Sequence, residues 1–177
     1  MPIFLFTKNS DIANQEEITS YAMPSTYWSA NIDTDFALGD GSSSAPWQIS
    51  SAEELAGVAS LINSGAYSAW RSDYYELTAD IDLSTHLWTP IGSYTSTTYF
   101  FNGNFNGNNH IIDGLTINSG TYVGLFGYVR DASAKIYGIN LTNVYIEASG
   151  SSSGGIGGIV GYALFNIAIS GCSVEGS

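Results

Sequence analysis

Basic side chains are almost missing from this chain. Four Lys plus Arg stand against 16 Asp plus Glu, giving a formal charge of −12 and a pI near 4.1. The surrounding field therefore repels phosphate backbones, which excludes nucleic acid as a partner. Cysteine is nearly absent too. Cys172 alone can form neither an intrachain disulfide nor a thiolate cage for a metal, so packing must hold the fold. No stretch approaches the roughly 18 apolar residues of a membrane span. Met1 to Phe6 offers five apolar residues after Met, with no basic flank and no small-residue cleavage site, and does not read as a signal peptide. Export then relies on a signal removed before this numbering or on another route, for instance inside a virion.

What is present points to strands. The 177 residues suffice for one domain, or one domain with a terminal appendage. Only 11% are charged, while 14% are aromatic and 20 are Gly, a mixture that favours short strands and many turns. Three regions follow. Residues 1–35 carry apolar side chains without a period and read as an arm that docks or oligomerises. Residues 36–73 hold a loop at Gly39 to Ser44, an extended segment at Ala45 to Ile49 and one convincing helix over 51–64, with no second helix after it. Ser51 and Glu54 have capping-box spacing, Leu55, Val58, Ala59 and Ile62 recur at helical intervals, and Gly65 supplies the stop.

Residues 74–177 show internal similarity. Ile112-Asp113-Gly114-Leu115-Thr116-Ile117, Ile136-Tyr137-Gly138-Ile139-Asn140-Leu141 and Ile169-Ser170-Gly171-Cys172-Ser173-Val174 share one template. Phe101-Asn102-Gly103, Gly124-Leu125-Phe126-Gly127 and Gly158-Ile159-Val160-Gly161 precede them in near-constant phase. In each template the first position has opposite strand parity to the fourth and sixth, so a bend at the glycine is needed to turn all three inward. Gly114, Gly138 and Gly171 are therefore expected to stack at one structural corner. Units of this kind bury an apolar face by stacking, which makes the expectation an all-β solenoid. An antiparallel sandwich with glycine turns is the alternative, and the constant phase fits coils better.

Gly124-Leu125-Phe126-Gly127 and Gly158-Ile159-Val160-Gly161 resemble the GLUG motif of bacterial surface proteins. The resemblance extends over roughly residues 36–177, including Leu77 to Leu83, Trp88 to Gly92 and Phe101 to Ile112. It implies a right-handed parallel β-helix whose first coil is covered by the helix 51–64. It also implies an extracellular or cell-surface setting, adhesin-like, with no family-wide catalytic residues.

Candidate chemistry is sparse. Asp80, Asp82 and Asp113 could face outward together, and the paired-carboxylate chemistry of a glycoside hydrolase is weighed on them. The alternative is solvated or turn-capping aspartates. A lyase would want a cation, and Lys8, Arg71, Arg130 and Lys135 are the whole supply. Asp33, Asp35 and Asp40 are weak metal candidates that lack the closing Glu of a calcium loop. His86 and His110 stand alone, and Cys172 reads as a small core residue. Trp88, Tyr94, Tyr99 and Phe100 flank a Ser/Thr-rich loop and are the candidate glycan-binding aromatics.

The expectation is a non-enzymatic adhesion, recognition or scaffold module without cofactor, binding a glycan or a host or cell-surface protein. A fibre or phage-tail subunit and a carbohydrate-active enzyme are the alternatives. Self-association, or membership of a longer chain, is expected from an apolar final strand set around Ile169, Cys172 and Val174.

Overall fold

In the computed structural model, which describes residues 22–29, 31–65, 68–94, 99–147 and 154–176, Ser51 and Gly65 bound the long helix as the sequence predicts. Ser51 accepts the Glu54 N–H at 3.2 Å, and the Glu54 carboxylate reaches back to the Ser50 N–H at 2.7 Å. This is a capping box displaced by one residue at its return bond. Gly65 ends the helix in the left-handed conformation, φ 64°. Leu55, Val58, Ala59 and Ile62 are buried, and each large one contributes about 1.5–3 kcal/mol by leaving water.

Strand β1 (Trp47–Ile49) precedes this helix, α1 (Ala52–Ser64), and a second short helix, α2 (Ser68–Ser72), follows it. Next come β2 (Tyr74–Leu77), β3 (Ile81–Asp82), β4 (Asn104–Asn106), β5 (Ile111–Asp113) and β6 (Thr116–Ile117). The chain continues through β7 (Phe126–Arg130), β8 (Lys135–Tyr137), β9 (Asn140–Ile146), β10 (Val160–Leu164), β11 (Ala168–Ser170) and β12 (Ser173–Gly176). Every pairing between these strands is parallel. One sheet runs β1-β2-β4-β8-β11, a second pairs β10 with β7, and a third runs β12-β9-β5-β3, with β6 also beside β9.

Register explains the core. Tyr75, Phe105, Ile136 and Ile169 align across the first sheet. Ile81, Ile112, Leu141 and Val174 align across the third. All but Ile169 and Val174 are buried, and Phe101 and Phe126 fill the space between, with ring centres 5.0 Å apart.

Several expectations are corrected. The molecule is not an all-β, single right-handed parallel β-helix with one capping helix. It is mixed α/β with two helices among the described residues, and its strands sort into separate small parallel sheets. The physical reason is visible at residues 91 and 101, which reach β7 only through isolated bridges, Ile91 to Phe126 and Phe101 to Val129. Pro90 has no N–H to extend pairing there.

The threefold template is also corrected. Ile136 and Leu141 pair with Ile169 and Val174, but Ile112 lies opposite Leu141, so the first copy is out of step. Gly138 follows Tyr137 and Gly171 follows Ser170, which are paired residues, whereas Gly114 turns the chain elsewhere, against Ser84. Bending at the glycine does turn Ile112, Leu115 and Ile117 inward together.

Of the arm, residues 1–21 lie outside the described residues. Its described part docks on the chain itself. Tyr27 bridges Leu87, the Asp33 N–H donates to Glu53 O at 2.9 Å, and Trp28 enters the core. Among the described residues no helix is long and apolar enough to cross a membrane.

Candidate functional site

The glycine-aliphatic turns place a set of tyrosines side by side. Because Phe126 pairs with Val160, Tyr128 and Tyr162 pair in turn, and their rings stack 5.5 Å apart at 27°. Tyr94 closes the group, with its ring centre 5.1 Å from Tyr122, 5.1 Å from Tyr128 and 5.8 Å from Tyr162. Tyr122 and Tyr162 are 5.0 Å apart. Phe100 extends the surface edge-on to Tyr128 at 6.1 Å. Tyr128, 3% exposed, is the buried hub, and Tyr94, 55% exposed, presents itself to solvent. Burial raises the Tyr128 phenol above its ordinary range, while Arg130 pulls it back.

The turn carrying Tyr94 is fixed from two directions. Asn63 of α1 donates to Pro90 O at 2.9 Å and accepts the Gly92 N–H at 3.0 Å. The Ser93 N–H donates to Tyr99 O. Beside Tyr94 a groove of about 550 Å³ opens, walled by Asn63, Pro90, Ser93, Thr121 and Tyr122. Among the described residues no carboxylate is in its walls. Ring faces beside phenol hydroxyls offer stacking together with donors and acceptors, the chemistry that suits a sugar's apolar face and its hydroxyl rim.

The four candidate aromatics separate. Tyr94 belongs to the platform, and Phe100 and Tyr99 border it half-buried. Trp88 is 1% exposed, and its indole N–H donates to Leu125 O at 3.0 Å; it is a core residue rather than a ligand-facing one. Sequence reasoning missed Tyr122, Tyr128, Tyr162 and Asn63. A usable signal existed, since Tyr128 and Tyr162 each directly follow the last glycine of a GLUG-like segment.

The acidic candidates serve local structure. Asp33 accepts the Asp35 N–H and Asp40 accepts the Ser42 N–H, each at 2.9 Å. Ser42's hydroxyl and amide hold the Asp40 carboxyl below its ordinary range. Among the described residues no three His, Cys, Asp or Glu gather as a metal site. Asp82 and Asp113 are neighbours on β3 and β5. Asp82 takes the Ser84 N–H, Asp113 takes Thr142 Oγ1 and Asn143 Nδ2, and Asp80 takes the Ile111 N–H and faces His110 Nδ1 at 3.0 Å. His86 lies against Trp28, and Cys172 is half-buried at the core's edge.

These features define a parallel-sheet chain with a tyrosine platform beside a groove. No family model and no solved structure matches it. It is similar to a protein of Evansella cellulosilytica called "Putative Gly-rich membrane protein", 32% identical over 124 residues, covering 66% of this chain and 13% of that protein. It is also similar to "Halomucin" of Haloquadratum walsbyi, 32% identical over 144 residues, covering 75% of this chain and 2% of that protein. The chain thus spans a small fraction of each relative.

Proposed function

We propose that this chain is a non-enzymatic recognition module of a cell-surface protein, and that its tyrosine platform binds glycan. The observation that carries this reading is the cluster of Tyr94, Tyr122, Tyr128 and Tyr162 beside an open groove with no carboxylate among its described lining residues. The names of the two relatives, a membrane protein and a halomucin, support a surface or membrane-associated setting. The GLUG-like segments, which set Tyr128 and Tyr162 in register, support the same assignment. The local partners of Asp80, Asp82 and Asp113 favour binding over hydrolysis. On a glycan panel, Tyr94→Ala and Tyr122→Ala are each expected to weaken the bound glycans about three- to tenfold, the contribution of one aromatic contact. Binding indifferent to both substitutions, or to Tyr94→Ala with Tyr99→Ala, rejects the platform. Cleavage products in a polysaccharide digestion screen reject the non-enzymatic reading.

A second reading, as a structural subunit of a fibre or tail, is favoured by the strand edges. Among the described residues β10, β11 and β12 are each paired on one side only, with Ile169 45% and Val174 49% exposed. Open parallel edges beside apolar side chains pair with another strand. Light scattering of the 177-residue chain is expected to show a species larger than 18.8 kDa. It should shift toward monomer in Ile169→Lys with Val174→Lys, and weaken when residues 1–30 are deleted. A stable monomer of the intact chain removes this reading.

A further inference from the structure

The tyrosine platform is bordered by two of the chain's four basic residues. The guanidinium carbon of Arg71, from α2, lies 4.7 Å from the centre of the Phe100 ring, and that of Arg130, from β7, lies 5.1 Å from the same centre. Phe100 in turn sits edge-on to Tyr128. In a chain of net charge −12, two guanidinium groups converging on one ring form a local positive centre within an opposing field. Among the described residues no carboxylate lies within ion-pair distance of Arg130; neighbouring Asp131 feels its charge but is engaged by the Ser133 N–H and hydroxyl at 3.1 Å.

We infer that the platform selects acidic polysaccharide: a uronate carboxylate is held at Arg130 with Arg71 beside it, while adjoining sugar rings stack on Tyr94 and Tyr122. This rests on the reading that the tyrosines bind glycan, and adds the class of sugar. A guanidinium presents a planar fork that matches a carboxylate in two hydrogen bonds, and stacking on Phe100 holds that fork in place before the ligand arrives. The general field sets a further limit. With 16 acidic side chains in the chain as a whole and a net charge of −12, a homopolymer charged at every sugar is repelled. Chains alternating neutral and uronate sugars meet the Arg pair at less electrostatic cost.

The test is titration of the full chain at low salt with four probes: a hyaluronan hexasaccharide, its carboxyl methyl ester, an oligogalacturonate of equal length and polyglutamate. The wild-type chain is expected to bind the hyaluronan fragment about tenfold tighter than its ester, the effect of one charge-assisted contact. The homopolymer should bind less tightly than the alternating fragment. Arg130→Gln should bring acid and ester to parity, and Arg130→Lys should restore part of the difference. Tyr94→Ala should weaken both forms alike. Acid and ester bound equally, both dependent on Tyr94, overturns the acidic preference and leaves the glycan reading standing. Absence of binding to all the sugar probes overturns the preference, and indifference of the wider panel to Tyr94 overturns the glycan reading with it. Polyglutamate bound more tightly than hyaluronan overturns the inference in favour of an acidic peptide. The comparison of acid with ester on the wild-type chain decides the matter even if a variant fails to fold.

Discussion

Trp88→Ala is expected to remove roughly 3–5 kcal/mol of stability, the usual cost of deleting a large buried aromatic side chain. The indole is 1% exposed and belongs to the main core. Its N–H donates to the Leu125 carbonyl, which also accepts the Ile91 N–H at 3.0 Å, so alanine leaves a cavity and removes one of that carbonyl's two hydrogen bonds. Against the 5–15 kcal/mol of an ordinary domain this is a large share. Trp88→Phe keeps most of the ring and loses only the donor, so its cost should be smaller, about 1–2 kcal/mol. Urea denaturation midpoints with unchanged slopes measure both. A Trp88→Ala chain as stable as wild type contradicts the burial. Trp88→Phe should leave glycan titrations unchanged, because the side chain does not face the groove.

Trp88 and Tyr94 show where sequence reasoning is strong and where it stops. Both stand out as aromatics beside a Ser/Thr-rich loop, and composition cannot tell them apart. What separates them is neighbours distant in sequence: Trp88 meets Leu125, whereas Tyr94 meets Tyr122, Tyr128 and Tyr162. The tyrosine set was legible only as an echo, a tyrosine after each of two glycines, and became a site once Phe126 was seen opposite Val160. Arg130 and Arg71 were legible as scarce charges. That they share Phe100 depends on α2, a helix too short to leave a periodic trace.

Local signals were read well wherever the determinants are local. Ser51, Glu54 and Gly65 fix α1 by contacts within one turn, and alternation around Gly114 and Gly138 identified which side chains turn inward. Parity distinguishes inside from outside but does not say which sheet a strand joins. That is why the expected solenoid of stacked coils became separate small parallel sheets, and why the copy beginning at Ile112 slipped to pair with Leu141. The second short helix was missed for the same reason that it is small: five residues give no period to read.

Gly114→Val should be among the most damaging single substitutions on the strand side of the molecule, at about 3–4 kcal/mol, whereas Gly171→Ala should cost only about 1 kcal/mol. Both glycines have positive φ, 73° and 60°, so any side chain at either meets the left-handed backbone penalty. Their surroundings differ. A Cβ on Gly114 would lie 2.8 Å from Ser84 Cα and 2.9 Å from Ser84 N, which are backbone atoms that cannot rotate away. A Cβ on Gly171 would meet nothing closer than 3.8 Å. Ser84 is itself pinned, since its N–H donates to the Asp82 carboxylate at 2.8 Å, and Gly114 is pinned by its own N–H to Thr142 O at 3.0 Å. Relief of the clash must therefore break one of these bonds or separate β5 from β3, and valine's branched Cβ adds to the strain. Chemical denaturation of the two variants in parallel separates backbone strain from collision. Equal losses would show that the packing at Ser84 carries no weight.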